Sequence, residues 1–257
     1  MPTRKLNVHA IRLGTVAACI GLLLVAVTPA RATDASDAAV YNCDRQCLQG
    51  IANLYFKALA QHKRSLLPLS PRVKYTETGR YLKLGAGIWK TAGEPTYRMN
   101  LLDPRTGGIG VEAVLPVGGV PTIMALRLKV EKHLITEVES ILVPKGAQGF
   151  SAPQNLVRPS RYFTRKIRPA EQNSRWELIA AADAYFRAFE TEGTPTYIHA
   201  PLLPDTLRFE NGFQTTNAAL GKLPPSTAAE QFDMAAFKGA RISDRRFPPS
   251  LIPKSAR

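Results

Sequence analysis

Residues 44–62 place Leu48, Ile51, Tyr55, Ala58, Leu59 and His62 three and four apart, the spacing of a helix with one apolar stripe. After Pro68 and Pro71 the period drops to two, with Val73 and Tyr75 on one face and Lys74 and Thr76 on the other. Gly79 then permits a tight turn into residues 81–84, and Gly85-Ala-Gly-Ile-Trp89 reads as a short helix or turn set against a sheet. Residues 97–102, 109–117, 122–130 and 134–143 read as an antiparallel meander. Their separators, Asp103-Pro-Arg-Thr-Gly-Gly108, Gly118-Gly119 and Glu131-Lys-His133, have hairpin length. Facing Val130 with Leu134 sets Leu128 opposite Thr136, Leu126 opposite Val138, Met124 opposite Ser140 and Arg127 opposite Glu137. One surface is then apolar, and Arg127, Lys129, Glu137 and Glu139 form a charge ladder on the other.

The pattern is written twice. Leu54-Tyr-Phe-Lys-Ala-Leu59 with Val73-Lys-Tyr-Thr-Glu-Thr-Gly79 returns as Ala184-Tyr-Phe-Arg-Ala-Phe189 with Leu207-Arg-Phe-Glu-Asn-Gly212. Four prolines between 144 and 173 and no sustained period mark a linker or strap. A second helix opens near Ser174, with Trp176, Ile179, Ala180 and Phe186 as its apolar face. Nothing after Gly212 resembles a three-hairpin meander, and 236–247 offers at most one strand. The second copy, 174–247, is therefore expected to be incomplete, with 248–257 a loose tail.

The N-terminus adds a destination. Arg4, Lys5 and Arg12 precede an apolar run over 13–27 and a small-x-small site at Ala30-Arg-Ala32, the order of a secretory leader over 1–32. Roughly 15 apolar residues fall short of the ~20 that span a bilayer. Val16-Ala-Ala-Cys19 resembles a lipidation site, but the stronger apolar stretch lies beyond that cysteine. The expectation is a secreted or periplasmic protein cleaved near Ala32. The whole chain carries a formal +14; without a leader holding four bases and no acid, 30 bases face 20 acids, or +10. That charge suits an anionic surface more than nucleic acid in such a compartment. The densest cluster, Arg158, Arg161, Arg165, Lys166 and Arg168, reads first as a solvated basic linker.

Export makes a Cys43–Cys47 disulfide the default. Cys43 must then sit on turned backbone just before the helix, with Asn42 or Asp44 as cap. With no histidine beside them in sequence, two cysteines fall short of a zinc set, so no metal is expected.

No nucleophile or phosphate motif accompanies the repeat. Glu77 and Glu210 recur before a turn glycine, either bonding turn amides or acting as an acid or base. Tyr75, Trp89 and Tyr97 are the candidate pocket aromatics, and Glu77, Tyr75 and Tyr97 the candidate catalytic groups. His62 reads as a helix C-terminal cap, and His133 and His199 as solvated loop residues.

A helical segment, a strand, a short insert and a meander together resemble the cone-shaped nuclear transport factor 2-like superfamily, with its ketosteroid isomerase-like and SnoaL-like members. Cys43-Asp-Arg-Gln-Cys-Leu48, Leu84-Gly-Ala-Gly-Ile-Trp-Lys-Thr-Ala92, Ala125-Leu-Arg-Leu-Lys-Val130 and Ile135-Thr-Glu-Val-Glu139 look like an uncharacterised family of secreted fungal and bacterial domains. Glu210-Asn-Gly-Phe-Gln-Thr-Thr216 and Asp244-Arg-Arg-Phe-Pro248 look like its second half, so the likeness runs over 43–248. The resemblance implies an α+β fold with a helix packed on a curved antiparallel sheet over 33–143. It transfers no catalytic residues and no cofactor. Two functions follow as expectations: binding of a small apolar or aromatic molecule in the cone, or cofactor-independent isomerase, dehydratase or cyclase chemistry. A sheet-mediated homodimer is the third reading.

Overall fold

The computed structural model describes residues 43–147, 150–188, 200 and 202–233. The expected leader, His199, the strand expected within 236–247 and the expected tail lie outside the described residues. Helix α1, Arg45–Ala60, is capped by Asp44, whose carboxylate accepts from the Cys47 amide at 2.8 Å. Its expected stripe is buried: Leu48, Ile51, Ala52, Tyr55, Phe56, Ala58 and Leu59. Cys43 and Cys47 are disulfide-bonded across the cap, with Cα atoms 5.3 Å apart. At the far end the Lys63 and His62 amides donate to the Ala58 and Leu59 carbonyls, a Schellman closure with His62 in the left-handed region (φ 55°).

The strands are β1 (Leu69–Glu77), β2 (Arg80–Tyr81), β3 (Tyr97–Asp103), β4 (Gly108–Val117), β5 (Val120–Glu131) and β6 (Leu134–Pro144). They form one curved sheet in the order β2-β1-β6-β5-β4-β3. All pairs are antiparallel except β1 with β6. That parallel pair closes the sheet back on its first strand after the whole meander, a pairing that period alone does not reveal. Ile109, Val111, Ala113 and Leu115 of β4 and Met124, Leu126, Leu128 and Val130 of β5 face α1 and form the core with it.

The β5–β6 register differs from the one read in the sequence. The turn is Lys132-His133, both left-handed (φ 50° and 62°), so Glu131 faces Leu134 and Val130 faces Ile135. A bulge then intervenes, with Lys129 opposite Glu137. Thr136 is the extra residue, and it explains how Ile135 and Val138, three apart, both reach the core. Leu128 thus faces Val138, and Arg127 faces Glu139. The ladder survives the shift because Arg127 bonds both Glu137 (2.7 Å) and Glu139 (2.9 Å).

After β6 a strap crosses the sheet's other face. It leads through the short α2 (Arg161–Thr164) to α3 (Arg175–Ala188), then to a hairpin of β7 (Phe209–Glu210) and β8 (Phe213–Gln214), and to α4 (Ala228–Asp233). Ser174 caps α3 reciprocally with Glu177, as the sequence suggests. The apolar face expected on α3 is not buried: Trp176 is 60% and Phe186 41% exposed, and Ala180 is exposed. The echo of the first half is clearest in the hairpins. Thr78-Gly79 joins β1 to β2 and Asn211-Gly212 joins β7 to β8, all four residues at positive φ. The second hairpin lies on the strap, where the Asn211 carbonyl accepts from Ala152 (2.8 Å) and Phe213 stacks on Phe150. A side chain on Gly212 would collide with the Ala152 carbonyl. A bidentate pair between Arg175 and Asp103 joins α3 to the β3–β4 turn.

Thr78 is a β-branched residue held at φ 46° where a type I′ turn favours Asn. Thr78→Asn is expected to raise stability by about 0.5–1 kcal/mol, read as a higher midpoint in thermal unfolding. A lower midpoint would mean that the Thr78 side chain holds the turn.

Candidate functional site

Between β2 and β3 the chain folds into a 3-10 turn, Gly87–Lys90, that drives Trp89 into the space between α1 and the sheet. Trp89 is 2% exposed and meets Tyr55 edge to face, with ring centroids 5.5 Å apart. Two bonds hold the turn. His62 Nδ1–H donates to the Trp89 carbonyl at 2.8 Å, which fixes the tautomer of that ring. The Ile88 amide donates to Glu77 at 3.0 Å. The same Glu77 oxygen accepts from the Tyr75 hydroxyl at 2.6 Å. Gly87 leaves room for this carboxylate, because a Cβ there would fall on it. Glu77 therefore serves neither its own turn nor a free cavity: it ties β1 to the insert.

Tyr75, Glu77, Trp89 and Tyr55 are thus brought together inside the fold. Burial, then Glu77 as bond partner and charge, pushes the Tyr75 hydroxyl well above its ordinary range, so it stays protonated as a donor. Burial also raises the proton affinity of Tyr55, helped by Tyr75 and Glu77. The Trp89 indole is close enough to act on the Tyr55 hydroxyl, yet Tyr55 Oη and Trp89 Nε1 are both buried outside hydrogen-bond geometry. Each such group costs about 1–3 kcal/mol, less than the several apolar side chains buried around it return at ~1.5–3 kcal/mol each.

Tyr97 is not part of this group. Its partner is Val114, and it packs with Val114 and Ile123 on the other face of the sheet, against Leu156 of the strap. Its hydroxyl donates to Glu112 at 2.9 Å, and burial, then that bond, raises its proton affinity. Alternation places Tyr97 and Val114 together, but which face is covered by α1 depends on the register of the whole meander.

Open space is found elsewhere among the described residues. A groove of about 630 Å³ runs between α1 and the start of β3, lined by Asn53, Phe56, Lys57, Gln61, Glu94, Pro95 and Arg98. Arg98 lies 5.2 Å over the Phe56 ring and donates to Asn53, which also accepts from Gln49 at 3.0 Å. The guanidinium is half-buried, and burial lowers its proton affinity from the ordinary value. No carboxylate pairs with it among the described residues. Nothing in the sequence sets this site apart, because Phe56 looks like one more stripe residue and Arg98 like one more surface base.

The remaining candidates have other partners. Glu210 pairs with Arg208 at 2.5 Å and accepts from Thr215 at 3.1 Å. Asp103 does hold its turn, accepting from the Arg105 amide and the Thr106 hydroxyl. Burial works against that carboxylate, but Arg175 and Thr106 outweigh it and hold Asp103 below the usual range. His133 is exposed but not isolated: its Nδ1 lies 3.5 Å from Cys47 Sγ.

A curved, mostly antiparallel sheet with a helix and an aromatic insert filling its hollow defines an α+β protein of the shape expected. A family model described as a domain of unknown function (DUF8021) matches residues 171–249, narrower than the 43–248 likeness read from motifs. No curated protein matches. Among solved structures, the chain is similar to a candidate ketosteroid isomerase from Kribbella flavida (18% identity, 52% of this chain and 98% of that one, TM-score 0.34). It is also similar to a de novo designed protein with a curved β-sheet (14%, 44% and 96%, TM-score 0.33). A third is a nuclear transport factor 2-like protein of unknown function from Cytophaga hutchinsonii (8%, 38% and 90%, TM-score 0.32).

If the interior is closed as described, Tyr55→Phe removes an unpartnered hydroxyl and is expected to leave stability unchanged or raise it slightly. Gly87→Ala is expected to cost at least about 2 kcal/mol by displacing Glu77 and straining a residue at φ 62°. Denaturant midpoints read both. A loss above about 1 kcal/mol for Tyr55→Phe would reveal a partner for that hydroxyl.

Proposed function

We propose that this protein is an exported, non-catalytic binding module that holds a small molecule with an apolar body and an anionic end in the groove between α1 and β3. The supporting observation is Arg98: a half-buried cation stacked on Phe56, bonded to an amide oxygen and, among the described residues, not to a carboxylate. Such a guanidinium keeps N–H groups for a carboxylate or phosphate, and its partial desolvation strengthens that bond. Lys57 adds charge of the same sign, against the single acid Glu94, and the groove volume falls in the usual range for small ligands.

The interior supports the catalytic alternative less well. A general base must reach its substrate, whereas Glu77 is engaged by Tyr75 and Ile88 behind a buried Trp89. What favours an isomerase-type reading is the pair of unspent groups on Tyr55 and Trp89 beside that carboxylate. Chemistry there needs the Trp89 turn to move out.

Titration of the mature chain, 33–257, with benzoate, naphthoate and phenyl phosphate by calorimetry tests the proposal. Binding is expected for these anions and not for the uncharged amide or alcohol analogues. Arg98→Gln is expected to weaken it at least tenfold, about 1.4 kcal/mol. Equal affinity for the neutral analogues, or an unaffected Arg98→Gln, would overturn it. Binding lost on Glu77→Gln instead would favour the interior.

A further inference from the structure

Among the described residues, Cys43, Cys47 and His133 are the one group of three whose potential metal-ligand atoms all lie within 4.8 Å of one another. The fold, not the sequence, assembles it: His133 is 86 residues from Cys47 and reaches it only because the β5–β6 turn closes on the N-terminus of α1. We propose that reduction of the Cys43–Cys47 disulfide converts this cluster into a three-ligand site for a zinc-type divalent cation.

Spacing supports the step. Zinc–sulfur bonds of about 2.3 Å and zinc–nitrogen bonds of about 2.0–2.1 Å, at tetrahedral angles, set sulfur and nitrogen roughly 3.5 Å apart. Cys47 Sγ and His133 Nδ1 already stand at 3.5 Å. The third ligand atom, Cys43 Sγ, lies within 4.8 Å of both, and the disulfide is what keeps the two sulfurs from separating. Two thiolates and an imidazole select zinc or cobalt over magnesium or calcium. The exposed His133 leaves the fourth position open to water, while Cys43 is buried and Cys47 half-buried behind it.

The chemistry balances with a dithiol or phosphine as reductant. Two electrons and two protons turn the disulfide into two thiols while the reductant is oxidised, and the cation then displaces both thiol protons. A small-molecule disulfide as oxidant, taking up the two electrons and two protons to become two thiols, restores the disulfide of the emptied site, so the two states exclude each other.

The test is titration of the mature chain with Co²⁺, with and without prior phosphine reduction, following the thiolate-to-cobalt charge-transfer band. Far-UV circular dichroism reports the fold of each sample. Reduced protein is expected to bind one Co²⁺ with four-coordinate visible bands, and oxidised protein none. His133→Asn, which suits the left-handed turn position, is expected to bind at least tenfold more weakly while keeping the native spectrum. Cys43→Ser is expected to lose the stoichiometric band. Cobalt binding no tighter after reduction, or His133→Asn binding as tightly as the parent, would overturn the site.

Discussion

The edge-to-face contact between Trp89 and Tyr55 is the constraint around which the described fold is arranged. A helix lying on a curved sheet leaves a hollow, and close packing forbids an empty one. Trp89 fills it from the sheet side of the insert and Tyr55 from α1. The residues that appear chemical then acquire mechanical roles. His62 takes a strained left-handed conformation, ends α1 and holds the Trp89 carbonyl. Glu77 takes the Ile88 amide, which orients the turn carrying that indole. Tyr75 completes the carboxylate's bonding without charging.

A filled interior moves the question of ligand binding outward. The face of α1 that carries Asn53 and Lys57 borders the groove, and Phe56 links the two environments, buried on the core side and covered by Arg98 on the other. Arg98 sits next to Tyr97 in β3, whose ring is sealed beneath the strap, so the strand that anchors the strap also positions the guanidinium. The Asp103–Arg175 pair at the other end of β3 attaches the second half of the chain to the same strand.

Much of this was legible in the residues. Spacing by three and four located α1, alternation located β3 to β6, and the disulfide expected across the helix start is present, with Asp44 rather than Asn42 as the cap. Local pattern failed where a long-range fact decides. Thr136 is a bulge only because Ile135 and Val138 must both face the core, so a register carried inward from the turn goes wrong by two residues. Tyr75 and Tyr97 look alike in sequence, and only the sheet order separates them. His133 seemed a solvated turn residue because its neighbour in space is 86 positions away. In the second half a helical period exists at α3, but no larger sheet covers it among the described residues, so Trp176, Leu178 and Phe186 remain exposed.

Fluorescence tests directly whether Trp89 closes the interior, the condition on which the proposed groove site depends. The chain has two tryptophans, and Trp176 is 60% exposed, so Trp176→Phe isolates the signal of Trp89. A closed interior gives blue-shifted emission that resists acrylamide quenching and stays so when an anionic ligand saturates the groove. Emission quenched as readily as free tryptophan, or a Trp89 that becomes exposed when ligand binds, would contradict it and return the site to the interior.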